Sequence, residues 1–370
     1  MFSLVRMGKF QDENQNILFD LALGRIVILT NASSALIKIS DVDTNSTENQ
    51  ITFPTNISPE SIFNSEHKIE SCFDFNSKTY QLVLSEKETR KGTTSFNDLD
   101  AMLLQAVSRQ VRASLENEYL LGQSLEKERI EKELNLAADI QQKIIPKELP
   151  KIEGYQLAGI NFPSREVGGD YYDCIDLGGG KFALIMADVA GKGISAALLV
   201  NTLNAALYSY LEFNLPLTEL ADRLNKLIYK ASPPDKYITF FAAVLGSNSG
   251  KLDVVNAGHN PALLLRKDGT LEQIEAGGIG LGMLDLGIPY TGQTLIINSG
   301  DKLFLYTDGI PEAMNSAEEE YSEERMISFF QNHSQDSPQE FISALVKDVK
   351  DYTGATPQSD DITSMILKRD

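Results

Sequence analysis

The sequence predicts an α+β protein in which antiparallel sheets are flanked by helices. Three observations carry that class. Short apolar runs come in pairs joined by turn formers: residues 240–245 reach 252–255 through Ser247-Asn248-Ser249-Gly250, and residues 262–265 reach Leu271 through Asp268-Gly269. Consecutive hairpins mean antiparallel pairing and argue against a doubly wound parallel sheet. Helical spacing recurs between them, over 195–213 and at Leu217, Leu220, Leu224, Leu227 and Ile228. Finally, residues 98–145 contain no proline and only one glycine, Gly122, which marks one long helix or two in succession.

Composition bounds the function. A chain of 370 residues with 42% hydrophobic content can bury a sizeable core and hold two or three domains. Its formal charge of −19 argues against a general affinity for nucleic acid or for anionic membrane surfaces, so the expected partners are proteins. Cys72 and Cys174 stand far apart with no CxxC, which excludes a disulfide scaffold and a zinc–thiolate cluster and suits a reducing compartment. The first ten residues carry Arg6 and Lys9 among scattered polar side chains rather than the apolar core of an export signal. No uninterrupted apolar run reaches the roughly 18 residues of a membrane span. A cytoplasmic protein is expected.

Taken in order, residues 18–39 read as a helix running into a strand, broken at Asn31-Ala32-Ser33-Ser34. A polar stretch over 41–68 precedes alternating runs such as 79–84, the pattern of a small mixed α/β domain. No acid pair, histidine cluster or phosphate loop stands out there. In the long helix, Ile130, Leu134, Ala137, Gln141 and Ile144 follow a 4-3-4-3 spacing beside the densely charged segment 126–133. So narrow a stripe calls for a partner helix, most simply that of a second protomer in a homodimer; the alternative is a solvated linker packed on its own domain. Pro146 and Pro150 are expected to end the helix. Further on, Ser337-Pro338-Gln339-Glu340 carries the serine cap, first-turn proline and capping-box glutamate of another helix start.

The candidate chemistry lies in acids at strand tips. Asp170 follows Gly168-Gly169, where backbone can turn tightly. Asp188 ends the apolar run 182–189, Asp308 closes 303–307, and Asp360-Asp361 opens 362–367. If these positions converge on one rim, their mutual repulsion calls for hard divalent cations with oxygen ligands.

In this order, GGDYYD (168–173), DVAGKG (188–193), NAGHNP (256–261), YTDG (306–309) and SDDIT (359–363) resemble the SpoIIE-like branch of the metal-dependent (PPM-type) serine/threonine protein phosphatases. The resemblance covers roughly residues 137–370, and 134–146 is similar to the helix preceding that domain. It implies an α-β-β-α sandwich of two antiparallel sheets over 147–370 and a catalytic centre of Asp170, Asp188, Asp308 and Asp360 holding two Mn²⁺ or Mg²⁺ ions. Asp188 would bridge the ions, Asp170 and the Val189 carbonyl would hold one, and Asp308 and Asp360 the other. Asp361 is included as an adjacent acid of the ligand set, although it and Asp173 also read as outer, solvated acids. The implied reaction is hydrolysis of phosphoserine or phosphothreonine by a metal-activated water, on a phosphorylated anti-sigma-factor antagonist in a partner-switching pathway.

Other residues keep plainer readings. His259 packs a turn rather than acting as a general acid, and Arg165 and Lys192 are surface cations that could otherwise hold substrate phosphate. Lys192 lacks the spacing of a nucleotide-binding loop. More weakly, 19–23, 26–30, 96–100 and 103–110 resemble the GAF family, which implies a sensor or dimerisation domain over 1–120 that binds a small molecule or a regulatory protein. The domains expected are therefore 1–120, a coiled-coil-like linker over 98–146 overlapping both neighbours, and a phosphatase domain over 147–370. Two rivals remain: a catalytically silent adaptor of the same fold, and a hydrolase of small phosphate esters.

Overall fold

The computed structural model describes the backbone of residues 2–370 and side chains from residue 15 onward; the side chains of the first ten residues, read above for an export signal, lie outside that description. Contacts divide the chain into two units, Met1–Arg129 and Ile130–Asp370.

The first unit runs α1 (Phe2–Thr30), β1 (Ala32–Asp41), β2 (Thr47–Phe53), α2 (Pro59–Phe63), β3 (Lys68–Phe75), β4 (Lys78–Thr89), β5 (Gly92–Thr94) and into α3 (Asp98–Gln141). The expected helix-to-strand junction is there: Asn31 takes a φ of 55° between α1 and β1, a conformation asparagine tolerates. The strands pair antiparallel in the order β2-β1-β4-β3, with β5 on β4. Alternation sorts their side chains. Ala35, Ile37, Tyr80 and Leu82 bury one face under Phe19, Leu23 and Ile26 of α1 and Leu104, Val111 and Leu115 of α3.

Helix α3 has 44 residues, about 66 Å at 1.5 Å per residue. It passes through Gly122 without a break, and it stops at Gln141. The prolines therefore do not end it. A hydrogen-bonded turn over 142–145, with Ile144 N–H donating to the Gln141 carbonyl, does so first.

The second unit continues with β6 (Tyr155–Phe162), β7 (Asp170–Gly178), β8 (Lys181–Val189), α4 (Ile194–Leu211), α5 (Leu217–Ala231), β9 (Ile238–Gly246), β10 (Lys251–Ala257), β11 (Ala262–Leu265), β12 (Leu271–Ile274), β13 (Gly292–Ile296), β14 (Lys302–Tyr306), α6 (Glu323–Asn332), α7 (Pro338–Thr353) and β15 (Ile362–Arg369). Both expected hairpins form, β9–β10 and β11–β12. Two five-stranded sheets result, β13-β10-β9-β8-β7 and β12-β11-β14-β15-β6, antiparallel throughout.

Their inner faces meet in one core, where Tyr172, Leu184, Met186 and Phe241 face Leu264, Leu303, Leu305 and Met365. Each outer face is covered by helices: Ile185 and Phe240 by Leu199 and Leu203 of α4 and Leu224 of α5, Phe304 and Ile366 by Phe330 of α6 and Phe341 of α7. Strands buried on both faces read as continuous apolar runs, which is why β8, β14 and β15 were visible in the sequence. Helix α7 starts on the expected capping box, with Ser337 and Glu340 each bonded to the other's backbone N–H. By length and composition α4 is the one helix among the described residues able to cross a membrane; its buried face, including Ala196, Val200 and Leu207, belongs to the core.

Candidate metal centre

The first two acids meet because of a hairpin. In the β7–β8 register Asp170 lies directly opposite Asp188, so 18 residues of sequence become one cross-strand pair. Asp170 is 2% exposed, and its Oδ2 accepts a bond from the Thr307 hydroxyl at 2.7 Å, which ties one sheet to the other. The remaining acids come from that second sheet. Asp308 follows β14 and Asp360 precedes β15; the two strands pair Tyr306 with Ser364, and Thr307 N–H donates to the Thr363 carbonyl.

Asp308 and Asp360 share their corner with Glu312, which the sequence reading missed: one carboxylate oxygen of each lies within 4.8 Å of the others. Glu312 stands four residues past Asp308, and its N–H donates to the Asp308 carbonyl at 2.9 Å. That turn is the signal that could have found it.

The electrostatics identify a single cluster. Burial, then the charges of Asp308 and Asp360, push the Asp188 carboxyl up to about 7. Burial, then Asp188, pushes Asp170 well above the usual carboxylate range. Asp308 is raised by burial and by Asp360, and Glu312 by burial and by Asp308. Carboxyls so arranged hold protons at neutral pH or neutralise one another through cations. Lys192 supplies one charge. Its Nζ pairs with Asp360 Oδ2 at 2.9 Å and donates to the Ser359 carbonyl, so it belongs to the rim and is no isolated surface cation. One lysine cannot balance five carboxylates, and the donors are all oxygen, the set that suits Mg²⁺ or Mn²⁺. The residues present fit such ions.

Asp361 corrects the expected ligand set. Its Oδ1 accepts from the Ser164 N–H at 2.7 Å and the Ser164 hydroxyl at 3.0 Å, and its Oδ2 from the Gly169 N–H at 2.6 Å. With both oxygens occupied by amides and hydroxyl, this buried carboxylate splices the start of β7 to the start of β15 instead of facing a cation. The splice also explains two glycines. A Cβ at Gly168 would lie 2.7 Å from Asp361 Oδ2, and one at Gly309 would lie 2.0 Å from the Asp361 carbonyl oxygen. Gly168 takes no left-handed φ; close approach, not the tight turn expected, is what it provides.

Gln141, at the end of α3, holds the same segment from outside. Its Nε2 donates to the Gly168 carbonyl at 2.7 Å and its Oε1 accepts from the Gly168 N–H at 3.0 Å. Val189, the expected carbonyl ligand, is paired through its N–H to the Gly169 carbonyl.

The remaining expected residues stay outside the cluster of acids, although His259 touches Thr239, which lies opposite Asp188 in the β8–β9 register. Asp173 is neither solvated nor beside the acids: it accepts from the hydroxyls of Tyr171 at 2.8 Å and Tyr208 at 2.9 Å, anchoring α4 to β7. His259 is buried, bonded through Nδ1 to Thr239 Oγ1 at 2.8 Å, and burial pushes it down to about 4. Asn256 closes its turn, accepting from the His259 N–H and donating to the His259 carbonyl, so the structural reading holds. Arg165 is exposed.

A model of the family "Stage II sporulation protein E (SpoIIE)" matches residues 178–370. Phosphoserine phosphatase RsbU of Bacillus subtilis is 27% identical over 297 residues, covering 78% of this chain and 84% of that protein. Protein IcfG of Synechocystis is 25% identical over 268 residues, covering 64% of this chain but only 41% of its own length. Among solved structures, the SiaA-PP2C domain of Pseudomonas aeruginosa superimposes with a TM-score of 0.59 at 19% identity, over 66% of this chain and 99% of that one, which shows the four-layer fold. The family match spans more than half of the 370 residues and takes in Asp188, Asp308, Glu312 and Asp360, and on that ground the chain belongs to the SpoIIE family of PP2C-type phosphatase domains.

Proposed function

We propose that the protein is a metal-dependent phosphoserine/phosphothreonine protein phosphatase acting in signalling, on a phosphorylated anti-sigma-factor antagonist. The observation that carries the reading is the convergence of Asp170 and Asp188 from one sheet with Asp308, Asp360 and Glu312 from the other. Asp188 would serve both ions, Asp170 and the Val189 carbonyl would complete the site of one, and Asp308 and Asp360 that of the other. Bound there, Mn²⁺ or Mg²⁺ supplies Lewis acidity and a water of lowered pKa for in-line attack on a phosphomonoester.

The chain's own groups do the positioning. Thr307 Oγ1 orients Asp170, Asp361 locks the backbone on which Asp170 sits, and Lys192 Nζ stands at the rim where it can take a phosphoryl oxygen. RsbU, named a phosphoserine phosphatase, shares 27% identity with the chain, which supports the substrate class. The test is release of phosphate by the full chain from a serine-phosphorylated protein and from p-nitrophenyl phosphate, with Mn²⁺ and with EDTA. Turnover of nucleotides with none of phosphoprotein would favour the small-ester rival; no turnover of either would favour the adaptor.

We further infer a cytoplasmic homodimer whose residues 1–120 act as a GAF-like sensor of a small molecule or regulatory protein, read out through α3. In support, α3 exposes Leu120, Leu121, Leu125 and Ile130, and its last residue grips Gly168, two positions from Asp170. Removing residues 1–120 should change turnover severalfold at limiting Mn²⁺. Identical metal dependence for both forms would leave this region a tether.

A further inference from the structure

Beside the acid rim lies a groove of about 460 Å³ that the reaction as derived does not use. It adjoins the centre, because Gly309 and Ser359 line it and each is the chain neighbour of a cluster acid, Asp308 or Asp360. Its walls are apolar and partly bare. Phe162 is 40% and Met314 39% exposed, and Val346 of α7 and Ile362 are half-buried. The wall beside the acids is stapled: Gln358 Nε2 donates to the Phe162 carbonyl at 2.8 Å and to the Asp360 carbonyl at 2.6 Å. Lys350 is the one ionisable side chain in the lining, its Nζ 5.3 Å from the centre of the Phe162 ring. An apolar groove with a single cation, set against a cluster of carboxylates on a chain of net charge −19, is a local exception to the surface around it.

We propose that this groove receives the polypeptide flanking the phosphorylated residue, taking a large apolar side chain two or three positions from the phosphoserine. The proposal rests on the phosphatase reading of the acid centre and names its substrate specificity. An extended chain advances about 3.3 Å per residue, so with the phosphoryl group at Asp308 and Asp360 the side chain two or three residues away arrives about 7–10 Å off, over the groove. The volume suits one or two aliphatic side chains. Exposed Phe162 and Met314 gain burial only when such a side chain enters, and Lys350 favours an acidic residue next to it over a basic one.

The experiment uses the full chain with Mn²⁺ and phosphoserine peptides that differ only by Leu or Ser at each of the three positions on either side. Leu two or three residues from the phosphoserine should raise kcat/KM about tenfold, mainly through KM. Met314→Glu and, independently, Phe162→Gln should erase that preference while p-nitrophenyl phosphate turnover stays within about twofold. No response to Leu, or a preference surviving both substitutions, overturns the proposal. It also falls if Met314→Glu dissociates a wild-type dimer in sedimentation and leaves the preference intact, since the occupant is then a second copy. Absence of p-nitrophenyl phosphate turnover in the wild type would strike the phosphatase reading instead. The groove would then be judged by fluorescence anisotropy of a labelled Leu phosphopeptide, with about tenfold weaker binding to the Met314→Glu variant supporting it and equal binding refuting it.

Discussion

The two halves of the acid centre solve the same electrostatic problem differently. Asp170 and Asp188 sit side by side at the end of the β7–β8 hairpin, with Asp170 almost wholly buried. Asp308, Glu312 and Asp360 lie on loops of the other sheet, and Lys192 offsets part of their charge, in a pair whose side chains are about 30% exposed (32% and 28%). The hairpin half has rigid geometry and unbalanced charge. The loop half has a cation of its own and greater exposure to solvent. It follows that the hairpin half needs a proton or a metal ion at neutral pH, and that the loop half is where affinity for the second ion can be tuned.

The strongest way to break the comparison is Asp188→Asn, which removes the carboxylate that opposes Asp170 across the hairpin and faces the charges of Asp308 and Asp360. Mn²⁺-dependent phosphate release should fall by more than about 100-fold, beyond the loss usual for an outer partner of a metal ligand. Folding, followed by circular dichroism, should be little changed. Near-normal turnover would refute the two-ion centre.

Next comes Asp361→Ala, which leaves the buried Gly169 amide and the half-buried Ser164 amide without an acceptor. The loss should be about 3 kcal/mol, a fall in Tm of roughly 10 °C. If calorimetry shows an unchanged Tm, Asp361 is not the splice described.

The pH dependence of the metal-free protein sharpens the contrast further. Asp188 is raised from its ordinary 3.8 to about 7, so between those values the folded state binds more protons than the unfolded one, and stability falls as pH rises. In EDTA, Tm should therefore be higher at pH 5.5 than at pH 7.5. Mn²⁺ should flatten the difference, and a metal-free Tm that climbs over this window would contradict the desolvated pair. The smallest effect is expected for Lys192→Met. It frees Asp360 from a partly exposed ion pair, so half-saturation by Mn²⁺ should tighten by up to about fivefold; weaker metal binding would mean that Lys192 supports the ion rather than competing with it.

The same contrast explains what could be read from the sequence. Asp188 and Asp308 were legible because each ends a strand buried on both faces, and such strands announce themselves as unbroken apolar runs. The capping box of α7 and the two hairpins were legible because their determinants lie within a few residues. What escaped was long-range or three-dimensional. Asp361 reaches Gly169 across 192 residues of sequence, and nothing local distinguishes an acid that clamps amides from its neighbour Asp360, which pairs with Lys192. Lys192 looked like a surface cation because its partner, Asp360, lies far along the chain. Gln141 was noticed as a member of a helical stripe, while its grip on Gly168 depends on where the segment after α3 sends the chain.

The direct opposition of Asp170 and Asp188 has a consequence for how this chain can change length. The turn between them, around Gly178-Gly179-Gly180, already carries a register shift between Asp176 and Gly178, so a change in length can be taken up there before it reaches the paired strands. Since side chains alternate across a strand, a slip of β8 by one residue against β7 would swing every side chain of β8 to the other face and carry Asp188 from the rim into the sandwich or under α4. A slip of two residues would restore the face but displace the carboxylate by about 6.6 Å along the strand. The centre therefore tolerates a change of length in the turn only while the pairing of Asp170 with Asp188 keeps its register. In the loop from β12 to β13, Gly278 and Leu281 are paired with Ala257 and Ile238 and Gly282 with Asn225, whereas residues 285–289 are exposed, so tags, labels or grafted segments belong in that stretch.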